Sequence, residues 1–112
     1  MAMSKDGLLL RIFFGEDDRF GHRPLFEAIV QKARELHLAG ATVLRGPMGF
    51  GRSRRLHTAK ILRLSFDLPI VVEILDTESK INEFLPVLDK MMGSGLVTLE
   101  KVQMLEYAKK RN

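Results

Sequence analysis

"LPIVVEILD", residues Leu68 to Asp76, decides the fold. Over Leu68 to Leu75, Ile70, Val72 and Ile74 alternate with Val71, Glu73 and Leu75. A period of two puts successive side chains on opposite faces of a strand. Both sets are mostly apolar, so this strand belongs in a sheet with both faces covered. Pro69 has no N–H for a ladder bond and fits only near the strand's start or at an edge. "LLLRIFF", Leu8 to Phe14, reads the same way, apolar on both faces apart from Arg11. It is the expected central first strand.

Between these two strands lies first a polar loop, "GEDDRFGHR", Gly15 to Arg23. Pro24 then opens a helix whose stripe is Leu25, Ile29, Ala33 and Leu36, with Phe26 and Val30 beside it. Gly40 is the expected helix stop, and Ala41 to Met48 is the second strand. Gly49 to about Phe66 carries no clear period; a run of roughly seventeen residues is long for a compact domain and marks a functional or mobile loop. Downstream of Asp76, either Asp76 or Thr77 caps a second helix with the stripe Ile81, Phe84 or Leu85, Leu88 and Met91. Pro86 inside it should remove one hydrogen bond and kink it. "GSG", Gly93 to Gly95, turns the chain into a last strand. There the apolar phase moves from Val97 and Leu99 to Val102 and Met104, which predicts a bulge or a break.

The order βαββαβ predicts an α+β, ferredoxin-like fold over residues 1–112 as a single domain: a four-stranded antiparallel sheet with two helices on one face. Two helices cover one face of such a sheet. The first and third strands are apolar on both, so a second copy of the chain is the expected cover for the other.

Composition narrows the function. An apolar share of 46% over 112 residues is enough for one two-layer core. There are no cysteines, which excludes disulfides and thiolate zinc sites and suits a reducing compartment. The first apolar run is short and interrupted by Arg11, and no stretch approaches the roughly 20 apolar residues of a membrane span. A cytoplasmic location is the expectation. The net charge of +4 is uneven: between Glu35 and Asp67 there is no acid, while Arg45, Arg52, Arg54, Arg55, Lys60 and Arg63 fall in that window. Those six are a third of the eighteen basic residues; the twelve left stand against fourteen acids, so the remainder of the chain is at −2. A field this local concentrates an anionic partner.

The second strand and this basic loop, "GATVLRGPMGFGRSRRLH" (Gly40 to His57), resemble a known signature. "GATV" followed by "GFGR" is similar to the PII signalling proteins, where the stretch leads from strand two into the long T-loop. "GEDDRFGHRPLFEAIVQKA" (Gly15 to Ala33), "RGPMGFG" (Arg45 to Gly51) and "LSFDLPIVVEILD" (Leu64 to Asp76) resemble more closely the PII-like family named domain of unknown function 190. The resemblance runs from Leu8 to about Gln103. It implies a homotrimer with the sheets facing inward and an AMP-like adenine nucleotide in the cleft between subunits. Thr42 and Arg45 would then sit by the T-loop base, with Gly49, Phe50, Gly51, Arg52 and Ser53 framing the phosphates. Arg54, Arg55, His57, Lys60 and Arg63 would lie in the T-loop, which in PII proteins engages a partner, typically a membrane transporter. Glycines let backbone N–H groups close on phosphate oxygens, and arginine adds a planar fork of matching geometry.

Two departures refine that reading. Signalling PII proteins carry a basic phosphate loop before the last strand, but here it reads "MMGSGL" (Met91 to Leu96), without a charge. A mononucleotide or cyclic nucleotide is expected rather than a triphosphate. The modified T-loop tyrosine is also missing, since the sole tyrosine is Tyr107.

Competing readings stay open at this point. Gly49-Phe50-Gly51 also suits a plain hairpin turn, and the arginines also suit a nucleic acid or another polyanion. Only Phe50 and Phe66 are interleaved with them, so base stacking has little to use. His22, His37 and His57 lack metal-ligand spacing. Glu16, Asp17 and Asp18 could meet magnesium or a ribose hydroxyl, or simply form an acidic loop tip. Ser53 and His57 lack the strand-to-helix elbow and orienting acid that a nucleophile needs, so no enzyme is expected.

Overall fold

A computed structural model describes residues 2–50, 57–58 and 67–107. The chain runs β1 (Ala2–Gly15), β2 (Arg19–Phe20), β3 (Arg23–Pro24), α1 (Leu25–Glu35), β4 (Gly40–Arg45), β5 (Met48–Gly49), β6 (His57–Thr58), β7 (Pro69–Asp76), α2 (Glu78–Met91) and β8 (Leu96–Tyr107). The four long strands form one antiparallel sheet in the order β4-β7-β1-β8, as the ferredoxin-like reading requires. The small β2-β3 and β5-β6 pairs stand apart from it.

The core lies between this sheet and the two helices. Leu8, Leu10, Ile12 and Phe14 of β1 and Ile70, Val72 and Ile74 of β7 meet Leu25, Ala28, Ile29 and Ala33 of α1 and Ile81, Phe84, Leu88 and Met91 of α2, all buried. Each such large side chain contributes about 1.5–3 kcal/mol relative to exposure. The helix stripes read from the sequence therefore hold, with Phe84 rather than Leu85 at the shared position. Leu36 departs from its stripe: it is exposed, beyond the last helical residue.

Three local expectations are corrected, and one open choice, the cap of α2, is resolved. Gly40 does not stop α1. His37 does, at φ 60°, with its N–H donating to Arg34 O and that of Leu38 to Ala33 O. This paired pattern is a Schellman motif with histidine in the left-handed position, and Gly40 is free to begin β4. The second strand ends at Arg45 instead of running to Met48. Gly46 N–H turns to Pro69 O at 2.8 Å, and Met48 and Gly49 pair with Thr58 and His57 in a ribbon of their own. The cap of α2 is Thr77, whose hydroxyl accepts from Lys80 N–H at 3.4 Å. Asp76 is instead buried and accepts from Ala39 N–H and Thr77 N–H.

The third correction concerns β8. It carries no bulge: its register with β1 is continuous from Phe13↔Leu96 to Ala2↔Tyr107. The apolar phase changes because the apolar side chains change face along an unbroken strand. Val97 and Leu99 lie opposite Ile12 and Leu10 on the helix side, whereas Val102 and Met104 lie opposite Gly7 and Lys5 on the other. Gly7 makes the second arrangement feasible, since a Cβ there would come within 2.5 Å of Met104 Cε. Pro86 does not end α2, which runs through it. It stands on the exposed side of the helix.

The sheet's second face carries Leu9, Phe13, Val71, Leu75, Leu44 and Leu96, with the register row Thr42–Glu73–Arg11–Thr98 across its middle. Arg11 is held between two carboxylates, Nε to Glu73 at 2.9 Å and Nη1 to Glu100 at 3.0 Å. These bonds, that to Glu73 first, raise its pKa further above the ordinary arginine value. Leu44 and Leu96 are 49% and 59% exposed, so within one chain this apolar face is open.

Candidate functional site

The sequence places its basic window beyond the end of β4, and the structure shows what surrounds that end. The sheet closes there with Gly15 opposite Pro69 and Arg45 opposite Ile70. Three backbone bonds tie the neighbouring loops: Glu16 N–H to Leu68 O at 2.8 Å, Gly46 N–H to Pro69 O at 2.8 Å, and Leu25 N–H to Asp18 O at 2.8 Å. Asp17 N–H adds a bond to Asp67 Oδ1 at 2.9 Å. The turn out of β4 lies directly on the Pro69 ring, since a Cβ at Gly46 or Gly49 would come within 3.0 Å of its Cγ. Glycine at both positions allows that close approach without pushing on the ring.

Arg45 meets an acid after all. Its guanidinium forms an ion pair with Glu16, delivered from the loop after β1. Next to Glu16, Asp17, Asp18 and Asp67 gather at the same end of the sheet. Their crowding shows at Asp18, whose carboxyl is pushed above the ordinary aspartate range, first by loss of solvent and then by the charges of Asp67 and Asp17. Among the described residues no three His, Asp or Glu converge as a metal site.

The expected site residues separate. Arg45 shares the helix-side face with Ala41 and Val43, whereas Thr42 lies on the open face opposite Glu73. One edge strand carries both, but they do not point to one spot. Gly49 pairs with His57 and is half-buried, and Phe50 is 68% exposed. Gly51, Arg52, Ser53, Arg54, Arg55, Lys60 and Arg63 lie outside the described residues, and of His57 only the backbone pairing is described. Glu16 is the residue whose role sequence reasoning missed. Its place in the "GEDDRFGHR" motif was visible; its pairing with Arg45 depends on the β1–β7–β4 register. Two cavities, of about 350 and 470 Å³, lie elsewhere, between α1 and β4 with Val30 and Arg34 in both linings, and neither includes Arg45 or Glu16.

Comparison with known proteins agrees with this architecture. The family model described as "DUF190: Uncharacterized ACR, COG1993" matches residues 7–104. A UPF0166 protein of Aquifex aeolicus (strain VF5) is 41% identical over 97 residues, covering 87% of this chain and 91% of its own. The fold is similar to CPII, a nitrogen regulatory PII-like protein from Thiomonas intermedia K12 solved with ADP, AMP and bicarbonate. The TM-score is 0.60 at 16% identity, over 91% of each chain. It is also similar to the GlnK-ATP complex of B. subtilis, with a TM-score of 0.56 at 13% identity over 90% of this chain and 85% of that one. With a match from Gly7 to Met104 and a PII-like fold beneath it, this chain belongs to the DUF190 family.

Proposed function

We propose that this protein is a PII-like regulatory protein: a cytoplasmic homotrimer, one domain per chain, that binds an adenine nucleotide between subunits at the end of β4. Its T-loop then changes order and engages a partner protein, of which a membrane transporter is one class. The observation that carries the reading is the end of β4. There Arg45 is followed by a glycine turn packed on Pro69, which holds the base of the Gly49–Phe66 segment against the sheet. The nucleotides bound by the CPII and GlnK structures favour the adenine class. In this reading Arg45 meets the ligand, Thr42 lies on the other face of β4 and contributes no side chain to it, and Gly49, Phe50, Gly51, Arg52 and Ser53 cradle its phosphates. Arg54, Arg55, His57, Lys60 and Arg63 face the partner. The mechanism is a population shift: the ligand favours whichever loop state gives it more contacts. No step of it needs catalysis.

Calorimetric titration with AMP, ADP, ATP and cyclic nucleotides, with light scattering for mass, tests the reading. The expected result is a trimer binding one nucleotide per subunit, with Arg52→Ala weakening it by about 1–3 kcal/mol and leaving the mass unchanged. The acid-free window of six basic residues favours a second reading, a polyanion or nucleic-acid module. A chain that ignores mononucleotides but holds RNA with a steep salt slope would establish that one instead.

A further inference from the structure

The geometry points to a contact between the free edge of β4 and the free edge of β8 in the next copy of this chain, paired antiparallel. This rests on the trimer reading above and names the strands that join neighbours. Among the described residues, the order β4-β7-β1-β8 leaves each outer strand unpaired on one side. The ladder bonds fix which backbone groups are left over. Gly46 N–H donates to Pro69 O, in line with the Arg45↔Ile70 register. Bonded pairs alternate along an antiparallel ladder, so Leu44, Thr42 and Gly40 turn their backbone groups to β7, and Ala41 and Val43 turn theirs outward. Glu16 N–H on Leu68 O sets the same alternation for β1. Phe13, Arg11 and Leu9 then bond Leu96, Thr98 and Glu100, which leaves Val97 and Leu99 facing outward.

A free edge is ordinarily guarded by a charge, a proline or a bulge. Neither edge has one over "ATVL" (Ala41 to Leu44) or "LVTL" (Leu96 to Leu99), where the registers within the chain are unbroken. Charge returns only beyond them, at Arg45 and at Glu100 and Lys101. Val43, Leu44, Leu96, Val97 and Leu99 are all exposed. Set antiparallel, the two stretches match: Leu44 meets the partner's Leu96, Val43 the partner's Val97, Thr42 the partner's Thr98 and Ala41 the partner's Leu99. The residues with outward backbone groups, Ala41 and Val43, fall opposite those of the other edge. Side chains of one face also stay on that face, and paired valines and threonines stabilise neighbouring strands. Within the sheet β4 and β8 run in opposite directions, so a rotation about an axis along the strands brings them together antiparallel and repeats the contact head to tail.

With no native cysteine, engineered thiols report this contact without background. In one chain Thr42 and Thr98 stand three strand spacings apart, about 14 Å, too far for a disulfide. Between copies they form a pair without mutual backbone bonds, where side chains approach most closely. The full chain carrying both Thr42→Cys and Thr98→Cys should, on mild oxidation, run almost wholly as a covalent trimer in non-reducing electrophoresis, and each single variant should stay uncross-linked. Val43→Pro removes no ladder bond within the chain, since that N–H points outward. It should lower the mass in light scattering from trimer to monomer and keep the wild-type far-ultraviolet circular dichroism. A wild-type trimer whose double-cysteine variant stays uncross-linked, or whose Val43→Pro variant keeps the trimer mass, would overturn the edge pairing and leave the trimer standing. Disulfides in either single variant would overturn it in favour of pairing between like edges. A wild type that scatters as a monomer would overturn the trimer reading and the pairing together.

Discussion

Arg45 was legible in the sequence as the first cation of a basic window, but its environment was not. The window from Leu36 to Phe66 contains no acid, and a linear reading leaves its positive charges unopposed. Antiparallel pairing of β1 with β7, and of β7 with β4, brings Glu16 to the same end of the sheet and into contact with Arg45. Asp18 shows the same crowding from the other side. Its folded carboxyl binds a proton more tightly than an unfolded one, so the ionised form costs stability. That cost is present at neutral pH and disappears as pH falls through the raised value and below the ordinary 3.8. Asp18→Asn should therefore melt above wild type at pH 7, with the gap closing in acid. A gap that widens on acidification would contradict the assignment.

At the scale of elements, periodicity identified each long strand and both helices, and the misreadings fell at their ends. Gly40 was the residue that composition favours for a helix stop, yet α1 closes three residues earlier with His37 at φ 60°. Two Schellman bonds hold a side chain other than glycine in that conformation. His37→Gly removes the conformational cost and, after the extra entropy of an unfolded glycine, should stabilise the chain by about 0.5–1 kcal/mol in urea or thermal unfolding. No gain would mean the imidazole makes a compensating contact. The shifted phase of β8 misled for a related reason. Side-chain alternation reports which face carries the apolar residues, and in β8 that face changes along one unbroken strand.

At the scale of the molecule, the trimer proposed above uses the sheet's second face. Leu9 and Leu75 on one side, and Phe13, Val71, Leu44 and Leu96 on the other, flank the polar row Thr42–Glu73–Arg11–Thr98. Exposed apolar side chains grouped on one face are the kind of surface such an interface covers. Packing of this face in an inward-facing trimer would bury Val71, so a charge there should be tolerated by the free chain and not by the assembly. Val71→Glu is expected to scatter light as a monomer while keeping wild-type far-ultraviolet circular dichroism. Retention of the trimer mass by this variant would place the subunit contact elsewhere.

The sequence by itself determined the βαββαβ order, the two amphipathic helices, the doubly apolar central strands and the local excess of positive charge. Each of these is written in near-neighbour spacing, which a period of 2 or 3.6 exposes directly. Only the tertiary structure decided that Thr42 and Arg45 face opposite ways, that Asp76 ties the α1–β4 turn to the start of α2, and that Glu16 stands against Arg45. Those pairings join residues distant in the chain, and strand register fixes them: a shift of one residue would turn every side chain of β4 to the other face.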